Sequence, residues 1–501
     1  MVERGDYSCV LARGEEVLFA SRKSGIAPLL ELIDSGIDAV GATAADKIVG
    51  KAAALLYVFM GVSRVEADVL SEAGEEVLRT YSIAYSAKVR TKHIVNRRGD
   101  DICPMERAVA DVESPKEAVA AVSAALRQIR RNMEVIKGKN FGFGLMRLPT
   151  IGEEIDYAQV KQMVDEFIGA GFSYFDTAKG YHGERSEAAF RECVAKRYPR
   201  DRFTITDKLS QNYFESEEDI RKCFEEQLET CGVEYFDYYF MHAQGRNNYP
   251  KYKRCRAYEI AKELKAEGKI RHIGFSFHDT ADYLDMILRE QPEVELVQIQ
   301  LNYIDFEDPK IQSRRCLEVC RKHGKPVVVM EPVKGGRLVN LPKEAEKILS
   351  GLHGGSAASY AIRFAAGQEG VRMVLSGMSN LEQLRDNLSF MRDFRPLDEK
   401  ERAAVEAAAE SMRVQDVIPC TGCAYCVAGC PKRIPIPDLF ADMNGREQWQ
   451  DREEGKRRYE AHTRGKGRAS DCIRCGKCEQ ICPQHLPVRE FLQKTAKTFE
   501  T

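Results

Sequence analysis

The chain has 501 residues, too many for one hydrophobic core, and this length predicts two to four domains. Charged residues make up 30% of the chain and the formal net charge is −2, a balance that gives no general attraction to nucleic acid or to a membrane surface. The longest apolar run, near residues 52–62, is too short to span a bilayer, and the N-terminus has no signal-peptide pattern, so a cytoplasmic protein is expected.

The cysteines indicate metal or redox chemistry. There are 16 of them, and in a long chain without a secretion signal this number argues against a disulfide scaffold. Eight lie between Cys420 and Cys482, and the other eight are scattered.

The first segment, residues 1–130, is predicted to be a small α/β domain with its own core. Residues alternate in polarity around Arg13-Gly14, which predicts a β-hairpin over Tyr7–Ala20. Helical spacing of apolar residues predicts three helices, over Ile26–Ile33, Thr43–Met60 and Pro115–Ile129.

The run ADKIVGKAAALL at residues 45–56, followed by Cys103-Pro-Met-Glu106, resembles a small uncharacterised family with a cytidine-deaminase-like fold. Zinc deaminases need a His or Cys ligand, a nearby Glu and a Pro-Cys-x-x-Cys pair. Three such ligands cannot be assembled here, so a domain without zinc is expected. Asp46, Lys47, Cys103 and Glu106 either line a small-molecule cleft or are helix-end charges beside a buried Cys, and the second alternative is favoured.

The middle segment, residues 135–393, alternates strand-like and helix-like runs. The eight predicted strands are Gly142–Arg147, Phe172–Phe175, Phe203–Thr206, Tyr235–Met241, Ile270–Ser276, Leu296–Ile299, Pro326–Met330 and Arg372–Ser376. Eight apolar strands with intervening helices over about 260 residues predict a (β/α)8 TIM barrel, whose chemistry belongs at the carboxyl ends of the strands.

Four polar side chains at neighbouring strand ends point into one barrel mouth. They are Asp176, Tyr181, Lys208 and His242. A carbonyl reduced to an alcohol needs a proton donor, and a phenol with an ordinary pKa near 10 is a weak one. We expect the Lys208 ammonium to lower the pKa of the phenol, Asp176 to hold the ammonium, and His242 to orient the carbonyl oxygen.

This set resembles the aldo-keto reductase family, which uses Asp, Tyr, Lys and His in the same chain order. Three further runs match the family: GKIRHIGFS (268–276), VQIQLN (297–302) and LSGMSNLEQLRDNL (375–388). The resemblance implies an enzyme that acts on a small-molecule aldehyde or ketone with NADPH or NADH, held without a Rossmann fold.

The resemblance also implies a dinucleotide site. Ser276 and Gln298 would hold the nicotinamide, and the loop Pro332–Leu338, with Gly335 and Gly336, would lie beside the pyrophosphate. The residues expected around the adenosine are Gly377, Ser379, Gln383 and Asn387. Relatives that use NADPH usually have a basic residue where Gln383 stands, so the choice between the two dinucleotides stays open.

The tail, residues 394–501, begins with a predicted helix over Leu397–Met412 and then carries the run C-x2-C-x2-C-x3-C-P twice. This is the spacing of two-cluster bacterial ferredoxins, in which the fourth Cys of each run serves the other cluster. We therefore expect two [4Fe-4S] clusters, although a pair of zinc sites is the alternative. The first cluster is assigned Cys420, Cys423, Cys426 and Cys482, and the second Cys472, Cys475, Cys478 and Cys430.

The charged stretch between the two runs, residues 451–470, is expected to be a solvated and partly mobile link. A barrel followed by a ferredoxin-like tail resembles a subset of aldo-keto reductases. Two functions compete: a carbonyl reductase whose clusters reach a redox partner protein or brace the tail, and a non-catalytic electron-transfer module whose barrel docks partners.

Overall fold

The computed structural model describes residues 7–96, 102–136, 138–352, 355–413, 417–445 and 452–500. The chain divides into two compact units, Met1–Glu134 and Val135–Thr501. No helix in the described part of the chain combines the length and the apolar character that a membrane crossing requires.

The first unit contains a mixed five-stranded sheet with helices. Its strands are Cys9–Arg13, Glu16–Ser21, Thr43–Val49, Arg64–Ser71 and Ala84–Thr91. The first strand pairs antiparallel with the second and third, and the last three pair parallel, which gives the order 2-1-3-4-5. The helices are Ala27–Ser35, Lys51–Phe59, Glu72–Thr80, Pro104–Ala108 and Pro115–Val135, the last of which continues to the start of the second unit.

The prediction of one helix over Thr43–Met60 is wrong. Residues Thr43–Val49 form the central strand of the sheet, and the helix begins at Lys51 after Gly50. The strand bonds to a neighbour on each side. Pairing within the sheet therefore overrides the helix propensity of its alanines. The hairpin and the other two predicted helices are confirmed, with small shifts at their ends.

The second unit is built on a closed barrel of eight parallel strands. The strands are Phe141–Gly144, Tyr174–Asp176, Thr204–Leu209, Phe236–Gln244, Ile270–Phe277, Leu296–Gln300, Val327–Met330 and Val371–Gly377. The eighth strand closes on the first at Val374 and Phe141. The TIM-barrel prediction is confirmed, and each of the eight expected strands is present.

Helices surround the barrel and complete its outer core. They are Tyr157–Gly169, Ser186–Phe190, Glu217–Cys231, Tyr249–Arg254, Ala257–Ala266, Ala281–Glu290, Ser313–Lys322, Lys343–Ser350, Ala357–Gly367, Leu381–Met391 and Glu399–Arg413. The amino-terminal end of the barrel is filled by apolar side chains that include Val135 and Ile136, and the Tyr238 hydroxyl donates to the Val135 carbonyl at 3.0 Å. The opposite end of the barrel, at the carboxyl ends of the strands, is where barrels of this type have their active sites.

The tail forms a small helical domain with its own apolar core. Its helices are Tyr425–Ala428, Ile436–Gly445, Arg452–Thr463, Lys477–Ile481 and Val488–Phe499. The stretch predicted to be a solvated link, residues 451–470, includes the helix Arg452–Thr463, whose Tyr459 is 2% exposed and stacks on Phe499. His462 of the same helix pairs with the buried Asp442, so an aromatic contact and an ion pair hold this charged helix against the core.

Candidate active site

The four polar residues predicted for the barrel mouth lie together in the structure. Asp176 ends the second strand, Tyr181 lies in the turn that follows it, Lys208 lies within the third strand and His242 within the fourth. Asp176, Tyr181 and Lys208 are 4%, 8% and 1% exposed, so the group faces a site that is largely shielded from water.

Lys208 is fixed by two hydrogen bonds. Its ammonium donates to Asp176 Oδ1 at 2.6 Å and to the Thr177 carbonyl at 2.7 Å. It also lies 5.1 Å from the ring centroid of Tyr181. Burial raises the pKa of the Asp176 carboxyl, and Lys208 opposes that rise.

The pKa of Tyr181 differs in direction from the expectation based on sequence. Burial, and after it the charge of Asp176, raises this pKa well above its usual range, and the Tyr425 hydroxyl acts in the opposite direction. The ammonium of Lys208 donates its hydrogen bonds to Asp176 and Thr177, and its charge is too weak to cancel the effect of burial on the pKa of Tyr181. The phenol is therefore protonated at neutral pH and holds the proton that a reduced carbonyl oxygen needs.

His242 is oriented by a neighbouring hydroxyl. Its Nδ1 lies 2.6 Å from Ser210 Oγ, and its ring is 5.9 Å from that of Tyr181. Burial, and then the Lys208 charge, lowers the pKa of His242 well below its ordinary value. The ring is therefore neutral at physiological pH, a state suited to positioning a carbonyl oxygen by hydrogen bonding.

The residues expected to hold a nicotinamide are buried at the same mouth. The Ala243 amide donates to Ser276 Oγ at 2.7 Å, and Gln298 lies beside Asp176. The two side chains are 1% and 2% exposed. They are therefore already paired with groups of the barrel itself.

The residues expected around the adenosine bond to one another near the end of the eighth strand. The Ser379 amide donates to Gln383 Oε1 at 2.7 Å, and Asn387 donates to Ser376 Oγ at 3.0 Å. The side chain of Arg147, which the sequence reasoning did not single out, covers Gly377.

The expected pyrophosphate loop is in contact with the tail. A Cβ built at Gly335 would lie 2.3 Å from the Thr421 carbonyl oxygen, whereas one at Gly336 would find its nearest neighbour at 3.9 Å. Pro332 is buried at the start of this loop. Lys334 is 3% exposed and forms an ion pair with Asp305, which is 1% exposed. Sequence reasoning assigned neither of these two residues a role, because an isolated Lys or Asp gives no sign of its distant partner.

Each ferredoxin-type cysteine set surrounds a cavity in the tail. One cavity is lined by the set assigned to the first cluster, Cys420, Cys423, Cys426 and Cys482. A second cavity is lined by the other set, Cys430, Cys472, Cys475 and Cys478. Among the described residues, no three His, Cys, Asp or Glu side chains converge as they would on a single metal ion. Four thiols line each cavity, and a set of four cysteines around one cavity fits a cubane with one thiolate at each iron.

In the first unit, Glu106 has a structural role. Its carboxylate accepts hydrogen bonds from the Lys51 and Ala52 amides at 2.8 and 3.0 Å, and so caps the helix Lys51–Phe59. Asp46 accepts from the Tyr57 hydroxyl at 2.6 Å, and burial raises its pKa to about 6. Cys103 precedes the helix Pro104–Ala108. These contacts favour the structural alternative over a small-molecule cleft.

Comparison with known proteins gives three family matches. The model of the aldo/keto reductase family matches residues 140–410, that of a 4Fe-4S dicluster domain matches residues 419–486, and that of a domain of unknown function (DUF1893) matches residues 1–126.

Individual relatives are distant. The chain is 24% identical over 277 residues to a 9,11-endoperoxide prostaglandin H2 reductase of Trypanosoma cruzi, covering 54% of this chain and 90% of that one. It is 24% identical over 227 residues to a glyoxal reductase of Bacillus subtilis, covering 45% and 73%. A solved aldo-keto reductase from Bacillus halodurans in its holo form is 21% identical over 55% of this chain and 93% of its own, with a TM-score of 0.46. The family match spans more than half of the chain, and the protein is therefore an oxidoreductase that belongs to the aldo/keto reductase family and carries a 4Fe-4S dicluster domain.

Proposed function

We propose that the barrel mouth interconverts a small-molecule carbonyl compound and its alcohol, with Tyr181 as the proton donor to the carbonyl oxygen. The observation that carries this proposal is the convergence of Asp176, Tyr181, Lys208 and His242 at one shielded mouth. Carbonyl reduction needs a proton at oxygen at the moment when electrons reach carbon.

Each of the four residues has a separate task. Tyr181 keeps its proton at neutral pH and transfers it to the carbonyl oxygen as negative charge develops there. Lys208 places a positive charge behind the phenol and stabilises the phenolate that remains. Asp176 holds the Lys208 ammonium, and neutral His242 orients the substrate oxygen.

Two [4Fe-4S] clusters are proposed as resident cofactors, held by the two crossed sets of cysteines that line the cavities. When bound, such clusters supply one-electron transfer. A redox partner protein would approach the second set, where Cys475 is exposed and Ile473 is 57% exposed. Lys432, Arg474 and Lys477 surround this spot and favour an acidic partner.

The dinucleotide that the family resemblance implies, NADPH or NADH, does not fit the mouth in this arrangement. Gly335, expected beside the pyrophosphate, is in contact with Thr421, and the neighbouring Lys334 donates to Gln484 of the tail. We therefore derive no step through a dinucleotide.

The proposal is tested by anaerobic turnover of an aldehyde and ketone panel by the full chain with its clusters, with NADPH, NADH and reduced methyl viologen each supplied in turn as the reductant. Tyr181→Phe should lower turnover by at least ~10²-fold, a typical general-acid contribution. The matched control is Tyr235→Phe, since Tyr235 precedes the fourth strand at the opposite end of the barrel and its ring lies between Arg200 and Arg271. Equal turnover in the two variants would assign the proton transfer elsewhere, and a wild-type protein inactive on the whole panel would favour the electron-transfer module.

A further inference from the structure

The segment Cys420–Cys426, here called the cluster loop, lies in the mouth of the barrel. Arg147 Nη2 donates to the Thr421 carbonyl at 2.7 Å, and Thr421 is 3% exposed. The same carbonyl oxygen approaches Gly335 so closely that no side chain fits between them. The hydrogen bond from Arg147 and the close approach to Gly335 together fix the backbone of Thr421 at the barrel mouth.

A residue of the cluster loop reaches the proton donor. The ring of Tyr425 lies 6.1 Å from that of His242, whose ring in turn lies 5.9 Å from that of Tyr181. The Tyr425 hydroxyl also lowers the pKa of Tyr181 against the effect of burial, so the two phenols lie close to each other. Ala424, just before it, has a φ of +61°, a backbone conformation that turns the chain sharply. Tyr425 is thus presented to the residues predicted to be catalytic.

A second contact, after the last cysteine, holds the tail to the same mouth. Gln484 and Gln300 exchange amide hydrogen bonds of 2.7 and 3.1 Å. Lys334 donates to Gln484 Oε1 at 3.2 Å and also pairs with Asp305. All four side chains are less than 9% exposed. Because buried polar groups that lose their partners are costly, this network fixes the tail at the mouth.

These contacts occupy the region in which a nicotinamide dinucleotide is expected. The loop that would face the pyrophosphate holds Thr421 at Gly335 and Gln484 at Lys334. We propose that the cluster loop and Gln484 occupy the place beside Lys334 and Gly335 that the pyrophosphate of NAD(P)H would need, and that Tyr425 completes the active site as a positioning residue for Tyr181. The docked protein then does not bind a dinucleotide at this mouth.

The exclusion of NAD(P)H changes the class of reductant for the reaction proposed above, on which this inference rests. Reduction of a carbonyl consumes two electrons and two protons: one proton bonds to the oxygen, the other to the carbon, and the C=O double bond becomes the C–O single bond of the alcohol. Without a hydride donor, the electrons come singly from a low-potential one-electron donor, and both protons come from solvent, one of them through Tyr181. A conjugated carbonyl compound is the suitable test substrate, because conjugation spreads the charge of a single added electron.

The source of the carbon-bound hydrogen distinguishes the two reductants. The full chain with its clusters is incubated anaerobically with a conjugated aldehyde or ketone and reduced methyl viologen in heavy water, and in parallel in ordinary water with NADPH or NADH deuterated at the transferable position. We expect deuterium on the product carbon from heavy water and none from either dinucleotide. Deuterium that reaches the product carbon from a dinucleotide overturns the inference. If this transfer is then lost in Tyr181→Phe, the proposed role of Tyr181 in carbonyl reduction still holds.

Binding gives a measurement that does not depend on turnover. Titration of the same protein with NADPH and NADH should show no binding up to ~1 mM, the upper end of the usual KM range. Saturable binding of either dinucleotide below that concentration overturns the inference, whether or not any substrate is turned over. Absence of binding together with absence of turnover would support the exclusion and refute the proposed reaction.

Two adjacent glycines provide a matched pair of variants for the docking contact. Gly335→Ala adds a Cβ that collides with Thr421, whereas Gly336→Ala adds one with 3.9 Å of room, and both glycines have positive φ, +63° and +94°. Amide hydrogen exchange over residues 421–425 should rise at least ~tenfold in the first variant and stay near wild type in the second. Equal exchange in the two variants would show that the cluster loop is not seated on Gly335.

Discussion

The ion pair between Lys208 and Asp176 makes a quantitative prediction. Both side chains are almost fully buried, 1% and 5% exposed, and their charged atoms lie 2.6 Å apart. Lys208→Met removes the cation and leaves the carboxylate without its charged partner. Removing one member of a buried pair typically costs about 3–5 kcal/mol, so the variant should lose stability in this range.

The loss depends on pH, with a definite sign. Burial already raises the pKa of Asp176, and without Lys208 the folded carboxyl has a higher pKa still. Because the folded state then holds a proton that the unfolded state has released, stability falls as the pH rises from ~4, the unfolded value, through the raised folded pKa. Urea unfolding, followed by the near-ultraviolet circular dichroism of the aromatic residues, should therefore show a larger loss at about pH 8 than at about pH 5.

Two further variants complete this test. Asp176→Asn combined with Lys208→Met removes the buried charge and should recover part of the lost free energy at about pH 8. Lys196→Met, which breaks an exposed pair with Glu192, should cost less than ~1 kcal/mol. The reasoning is refuted if Lys208→Met costs no more than Lys196→Met, or if its cost is the same at the two pH values.

The remaining predictions concern the cysteines, the cluster loop and the first unit. Cys482→Ala should alter the electron-resonance signal of the centre assigned to Cys420, Cys423 and Cys426; loss of the other centre alone would contradict the crossed assignment. Tyr425→Phe should lower turnover by ~tenfold and shift the pH profile of turnover, because it removes a hydroxyl near Tyr181. The absorbance of the clusters should stay unchanged in this variant. An unchanged pH profile would show that Tyr425 only packs at the mouth. Glu106→Ala should lower the free energy of unfolding of the first unit by about 0.5–2 kcal/mol, because the Lys51 and Ala52 amides lose their hydrogen-bond acceptor. The control Glu76→Ala, at an exposed position, should lower it by less than ~0.5 kcal/mol. Equal losses in thermal unfolding would contradict the capping role of Glu106.

Local patterns were sufficient to predict the barrel. Its strands are short apolar runs that polar turns separate, and a parallel strand buried on both faces has this pattern whatever its neighbours are. The predictions failed where partners distant in sequence decide the structure. Thr43–Val49 is rich in alanine yet forms a strand because the sheet pairs with both of its edges. The charged stretch from Arg452 to Thr463 is a helix that the stacking of Tyr459 on Phe499 and the pairing of His462 with Asp442 hold against the core.

The sequence alone also determined the composition of the candidate site. The four polar residues lie near the carboxyl ends of consecutive strands, and parallel strands bring these ends to one mouth, so the sequence pattern predicted their proximity. The spacing of the cysteines likewise predicted the two sets that line separate cavities, because a run of three closely spaced thiols can wrap one site while the fourth reaches the other.

Only the tertiary structure decided how the tail meets the barrel. Arg147 and Thr421 are 274 positions apart, and Gln300 and Gln484 are 184 positions apart. No periodicity or spacing in the sequence links such residues, because the contacts depend on the fit of two folded surfaces. The pKa of Tyr181 shows the same limit: the sequence placed a lysine near the phenol, but burial and then the charge of Asp176 set the direction of the shift. The pKa of a buried group depends on how closely charges approach it and how far water is excluded from it. Both are set by distances of a few ångströms that exist only in the folded chain.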